Sequence, residues 1–176
     1  PLAGLVFDSS GERLTPTHSR RASLRYRYYV SQTLVIGRPR SDVPSKCWRI
    51  PATELENAVR AALTSFLEDQ SELTSIFELG RMTPGEATAV LEAATSLSLS
   101  LGKLDLVQLR KALQSYVTRV EIGDATIAVT LNLAELYHVL RLPAIKSDEP
   151  QTHTIVVPVR VTKRGVEQRM VVGGGV

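Results

Sequence analysis

The chain has 176 residues, 43% hydrophobic and 22% charged, with a formal net charge of +3. That length can bury the core of one large or two small domains, and no apolar run approaches the eighteen or so residues that span a bilayer. A single cysteine, Cys47, excludes an internal disulfide and a zinc site built from the cysteines of one chain. The charge is segregated: residues 1–49 carry 9 basic and 3 acidic side chains, and residues 50–102 carry 2 and 8. Residues 103–150 balance, and residues 151–176 are again basic. Basic ends around an acidic middle predict parts with different partners.

In chain order, Leu2 to Phe7 reads as a short apolar strand and Asp8-Ser9-Ser10-Gly11 as a turn. Arg13 to Thr15 is expected to return as its hairpin partner. Leu24-Arg25-Tyr26-Arg27-Tyr28-Tyr29-Val30 is the strongest strand signal, dense in aromatics and β-branched side chains. Strand alternation puts Arg25, Arg27 and Tyr29 on one face, predicted to be free to grip an anion, and Leu24, Tyr26, Tyr28 and Val30 on a packing face. A strand over Thr33 to Ile36 and a basic loop over residues 37–49 complete this first part.

Pro51 opens a predicted helix with Leu55, Val59, Leu63 and Phe66 at helical spacing. A short helix over residues 71–79 ends at Gly80, and Thr83-Pro84-Gly85-Glu86 is a capping box that starts another. Its stripe is Val90, Leu91, Ala94, Leu97 and Leu101. Gly102 is expected to break it before a further helix that aligns Leu106, Leu109, Leu113 and Tyr116. The period then changes. Val120 to Leu131 reads as a hairpin turned at Gly123-Asp124, residues 132–141 as a small helix, and Thr154–Thr162 with Val166–Val172 as a second hairpin through a basic turn at Lys163-Arg164-Gly165. The predicted fold is α+β: an antiparallel ribbon-like basic module over residues 1–50, a helical, coiled-coil-like block over 51–118, and β-hairpins with a short helix over 119–176.

Little of this suits catalysis. Asp8, Ser9, Ser10 and His18 supply the side chains of a hydrolase without a nucleophile elbow, so a polar turn is the expected reading. His138 and His153 are isolated in the sequence, and Gly173 to Gly175 lacks the lysine and helix of a phosphate loop. The basic groups speak more clearly. Six fall within residues 20–40, namely Arg20, Arg21, Arg25, Arg27, Arg38 and Arg40, followed by Lys46. With Thr15, Thr17 and His18, and with Lys163 and Arg164 on the later hairpin, they suit contacts to phosphates.

The strings Pro1-Leu2-Ala3-Gly4-Leu5-Val6-Phe7-Asp8, Arg13-Leu14-Thr15-Pro16-Thr17-His18, Arg25-Tyr26-Arg27-Tyr28-Tyr29-Val30-Ser31 and Trp48-Arg49-Ile50-Pro51-Ala52 stand in an order that resembles one family. That family is the large serine recombinases, over the C-terminal DNA-binding region that follows their catalytic domain. Val117-Thr118-Arg119-Val120-Glu121-Ile122 is similar to the strand by which such chains re-enter the sheet after their helical insertion. The resemblance covers about residues 1–135, and no single motif carries it. It implies site-specific DNA recombination in the parent protein, with a catalytic serine in a domain outside this chain. It also implies double-stranded DNA as the partner, self-association into dimers or tetramers, and a cytoplasm of bacterial or phage-derived origin. Opening at Pro1 without an initiator methionine, the chain is expected to be a piece of that longer protein.

This sequence departs from the family at the metal. Ribbons of this kind hold zinc with two cysteine pairs, whereas here Asp8-Ser9-Ser10 and Val30 stand at ligand positions and only Cys47 lies near one. A ribbon without metal or other cofactor is therefore expected. Arg81 and Met82, at the tip of the helical block, are the predicted subunit contact. The fragment itself is expected to be no enzyme. The rival readings are a protein-interaction module acting through the acidic helices, and an RNA or single-strand binder stacking bases on Tyr26, Tyr28 or Tyr29.

Overall fold

A computed structural model describes residues 1–21, 24–31, 48–143, 151–164 and 167–172. The fold is α+β. Its strands are β1 (Val6–Asp8), β2 (Leu14–Arg21), β3 (Leu24–Ser31), β4 (Arg49–Pro51), β5 (Val117–Ile122), β6 (Thr126–Asn132), β7 (Thr152–Arg164) and β8 (Glu167–Val172). The helices are α1 (Ala52–Glu68), α2 (Gln70–Ile76), α3 (Pro84–Lys103), α4 (Leu106–Tyr116) and α5 (Leu133–Val139), with a 3-10 turn at Leu79–Arg81.

Two sheets form, one of five strands in the order β1-β5-β6-β7-β8 and one of three in the order β2-β3-β4. The first strand departs from expectation. It keeps a single bridge from Phe7 to Arg13 and instead pairs in parallel with β5, Val6 against Val120 and Asp8 against Ile122. Burial decides this: Val6, Val120 and Ile122 are all fully enclosed, which a two-residue hairpin contact at Arg13 could not achieve. The predicted strand at Thr33 to Ile36 and the basic loop over residues 37–47 lie outside the described residues.

Two compact units make up the chain. One consists of Pro1, Arg60–Thr118 and Thr130–Ile155, and the other of Leu2–Val59, Arg119–Val129 and Val156–Val176. The first is mainly helical, with Leu73, Phe77, Ala94, Leu113 and Leu136 in its core. Three of its helices start where a side chain caps them. Asp69 accepts from the Glu72 N–H ahead of α2, and Asp105 accepts from Val107 N and Gln108 N ahead of α4. Thr83 and Glu86 form the capping box predicted for α3. Gly102 is the last residue but one of α3 and does not break it; the break comes at Leu104, whose extended backbone leads to the Asp105 cap. Leu106, expected inside, is 61% exposed. It is in phase with Leu109 and Leu113, but it is the first residue of α4, directly after the Asp105 cap, at the end of the buried stripe.

The second unit is built on β strands, and its largest buried side chains are Trp48 and Tyr29. Trp48 is fixed by two exchanges with Ser31: its N–H donates to Ser31 Oγ at 2.8 Å, and the Ser31 N–H donates to its carbonyl at 2.9 Å. The later hairpin forms, β7 pairing β8 from Val159–Val172 to Arg164–Glu167, with Lys163 and Arg164 in the strand instead of the predicted turn.

Candidate nucleic-acid interface

Strands β2 and β3 pair over eight antiparallel positions, from Leu14–Ser31 to Arg21–Leu24. On its other side β3 is joined by β4 at Tyr28, Tyr29 and Val30, which pair with Pro51, Ile50 and Arg49. Beyond Tyr28, among the described residues, the sheet is reduced to a ribbon of two strands. Its four residue pairs are His18–Arg27, Ser19–Tyr26, Arg20–Arg25 and Arg21–Leu24. Four of these eight residues are arginines. At about 3.3 Å per residue the ribbon is roughly 13 Å long.

The base of the ribbon holds a buried ionic network. Glu56 on α1 is only 1% exposed. Arg27 reaches it with both guanidinium ends, Nη2 to Oε2 at 2.9 Å and Nη1 to Oε1 at 3.3 Å. The Tyr29 hydroxyl donates to Oε1 at 2.9 Å and accepts the Leu2 N–H at 2.9 Å. Burial, reinforced by the negative charge of Glu56, pushes the Tyr29 phenol far above its ordinary value. The shared face of Arg27 and Tyr29 is therefore no free anion grip. It is packed on α1, and Arg27 is a strut that neutralises a buried carboxylate. The other face is closed at its base as well, because Tyr28 is buried with the Arg49 guanidinium 4.3 Å above its ring. Tyr26, farther out, is 41% exposed.

The remaining predicted contacts separate. Thr15 and His18 are exposed on β2, Thr17 is half-buried opposite Tyr28, and Arg20, Arg21 and Arg25 hold paired positions at the outer half of the ribbon. Lys163 and Arg164 lie within strand β7 rather than in a turn, paired with Gln168 and Glu167 of the other hairpin. Arg38, Arg40 and Lys46 lie outside the described residues. Arg81 is 80% exposed and bonded to Glu78, while Met82 is half-buried in the helical unit.

At the first turn, where the resembled family has cysteines, Asp8 Oδ1 accepts from Ser10 N, Ser10 Oγ and Glu12 N at 2.6–2.9 Å. That oxygen is saturated by the turn itself, and serines replace the thiolates, so these residues do not fit a zinc ion. The same bonds occupy Asp8 and Ser10, two of the side chains that a hydrolase reading would need. His153, isolated in sequence, bonds Glu72 at 2.9 Å and stacks on Phe66. His138 is exposed.

Glu56 is the residue that sequence reasoning missed. Its signal was present: it lies one position after Leu55 and three before Val59, inside the apolar stripe of α1, where an acid must find a partner. Comparison with protein-family models, with curated proteins and with solved structures finds no match to this chain.

Proposed function

We propose that this chain binds double-stranded DNA through the β2–β3 ribbon, as the DNA-binding part of a site-specific serine recombinase. The observation that carries the reading is the two-stranded ribbon with four arginines among eight residues, extending past β4. A major groove about 12 Å wide and 8.5 Å deep admits a two-stranded ribbon of this size. Arg20, Arg21 and Arg25 would meet phosphates or base edges, with Thr15 and His18 alongside. Arg27 would hold the ribbon to α1. The resemblance extends the proposal to the parent protein: a catalytic domain elsewhere in it would cut and join DNA, and this part would seat that domain on its site and help subunits meet. Exposed Tyr26 favours a second reading, stacking of single-stranded bases.

Anisotropy titration of the chain with duplex DNA over a salt series tests this. With three to five phosphate contacts, log K should fall against log salt with a slope of roughly −3 to −5, at about 0.9 per contact. Arg25→Ala should reduce that slope by about one. Tighter binding to single strands than to duplex would favour stacking, and salt-independent or absent duplex binding would overturn the proposal.

A further inference from the structure

The helical unit contains a groove of about 770 Å3 that the ribbon does not use. Helix α3 lines it from Glu86 to Ser100, and Val139 to Pro143, at and beyond the end of α5, line it opposite. The fifteen α3 residues from Glu86 to Ser100 span about 21 Å at 1.5 Å per step, the scale of a helix face rather than of a compact ligand. Val90, Leu140 and Leu142 are its buried apolar residues. Ala89, Ala93, Ser96 and Ser100 give α3 a side that another backbone can approach closely.

Two charges along the groove are unspent. Glu86 is engaged by the Thr83 cap, and Arg81 by Glu78. The side chains of Glu92 on α3 and Arg141 on the opposite wall have no hydrogen-bond or ion-pair partner among the described residues. Arg141 also holds a left-handed backbone, φ 59°, which is uncommon for a side chain other than glycine. Beside the groove, three residues after Ser96, Leu99 is 60% exposed.

We infer that this groove is an interface between two copies of the chain. The unpaired charges are opposite in sign and lie on opposite walls, which is the pattern a two-fold axis satisfies. Laying α3 of each copy along the groove of the other sets Glu92 against Arg141 twice, and carries each Leu99 out of water. The inference deepens the self-association part of the proposed function and rests on it, moving the contact from the Arg81–Met82 tip onto the face of α3. It does not depend on DNA binding.

Sedimentation equilibrium of the whole chain, from micromolar to submillimolar concentration, tests it. The parent should show a monomer–dimer equilibrium. Glu92→Arg and Arg141→Glu should each weaken it by about ten-fold or more, since each change occurs twice in a symmetric pair. The double variant E92R/R141E should restore it, which a folding defect would not do, and Leu99→Glu should weaken it. A parent that stays monomeric overturns the inference, as do single variants that dimerise normally or a double variant that does not recover. Binding to a duplex carrying one site, measured on the same variants, should be unchanged. Failure of the parent to bind duplex would instead sink the DNA reading and leave the interface standing.

Discussion

Arg25 and Arg27 sit two positions apart on one strand, yet they carry different loads. Arg27 neutralises Glu56, which is shut away from water, so removing it strands a buried carboxylate. Breaking a fully buried pair in this way costs about 3–5 kcal/mol, and with the Arg27 side chain one-third exposed roughly 2–3 kcal/mol is expected. Urea denaturation should therefore find Arg27→Ala destabilised by that amount and Arg25→Ala within about 0.5 kcal/mol of the parent. Equal effects would contradict the strut. A combined Arg25/Arg27 substitution cannot serve as a clean test of DNA contact, because half of it attacks the fold. The sequence offers two arginines in identical company. The difference comes from an acid 29 residues away, and only the chain's return on α1 brings it near.

At the scale of elements, what is written locally is legible. The Thr83–Glu86 box is a pattern of four consecutive residues, and it forms: Thr83 N–H and Oγ1 donate to Glu86 Oε2 at 2.9 and 2.7 Å, and Glu86 N–H donates to Thr83 Oγ1 at 3.4 Å. Thr83→Ala should cost about 1 kcal/mol at neutral pH, read from thermal or urea unfolding. The bonds from Thr83, side chain first, hold the Glu86 carboxyl below the usual carboxylate range. A depressed folded value means stability that is present above the ordinary carboxylate pKa and is lost as pH falls through the folded one. The gap between parent and variant should accordingly narrow in acid, and a gap constant with pH would show that the charge is uninvolved. The pairing of β7 with β8 and the β5–β6 hairpin with its Gly123 turn were equally readable, though the predicted turn residues Lys163 and Arg164 lie in β7. The partner of β1 was not. Its choice of β5, more than a hundred residues on, depends on which pairing buries Val6, and no local pattern records that. The inward assignment of Leu106 failed for a related reason: its helical phase is the predicted one, but it stands at the first position of α4, where the packed stripe ends.

For the molecule as a whole, the buried phenol makes stability depend on alkaline pH. Tyr29 lies in the same unit as Trp48, the single tryptophan and hence the natural reporter of that unit. Its hydroxyl is enclosed, donates to Glu56 and accepts from Leu2, and burial first, then the Glu56 charge, raises its pKa. An unfolded tyrosine loses its proton near about pH 10, while folded Tyr29 keeps it. The folded value is the raised one, so the network's full contribution is present below about pH 10 and declines as pH rises above it, because the unfolded chain gives up the proton first. The urea midpoint seen by Trp48 fluorescence should stay level through neutral pH and fall beyond about 10. Tyr29→Phe should lower stability by roughly 1–3 kcal/mol at neutral pH, since it leaves the Leu2 N–H unmet and removes one donor to Glu56 Oε1. It should also flatten the alkaline decline. A residue of the slope should persist if the other unit contributes, because Tyr116 and Tyr137 are shifted upward too, each by burial first and then by Glu135 and Glu78 respectively. A Tyr29→Phe chain with the parent's stability and an undiminished decline would show that the phenol is not part of what holds β3 to α1, and would leave the Arg27–Glu56 pair and the β3–β4 pairing as the ribbon's anchors.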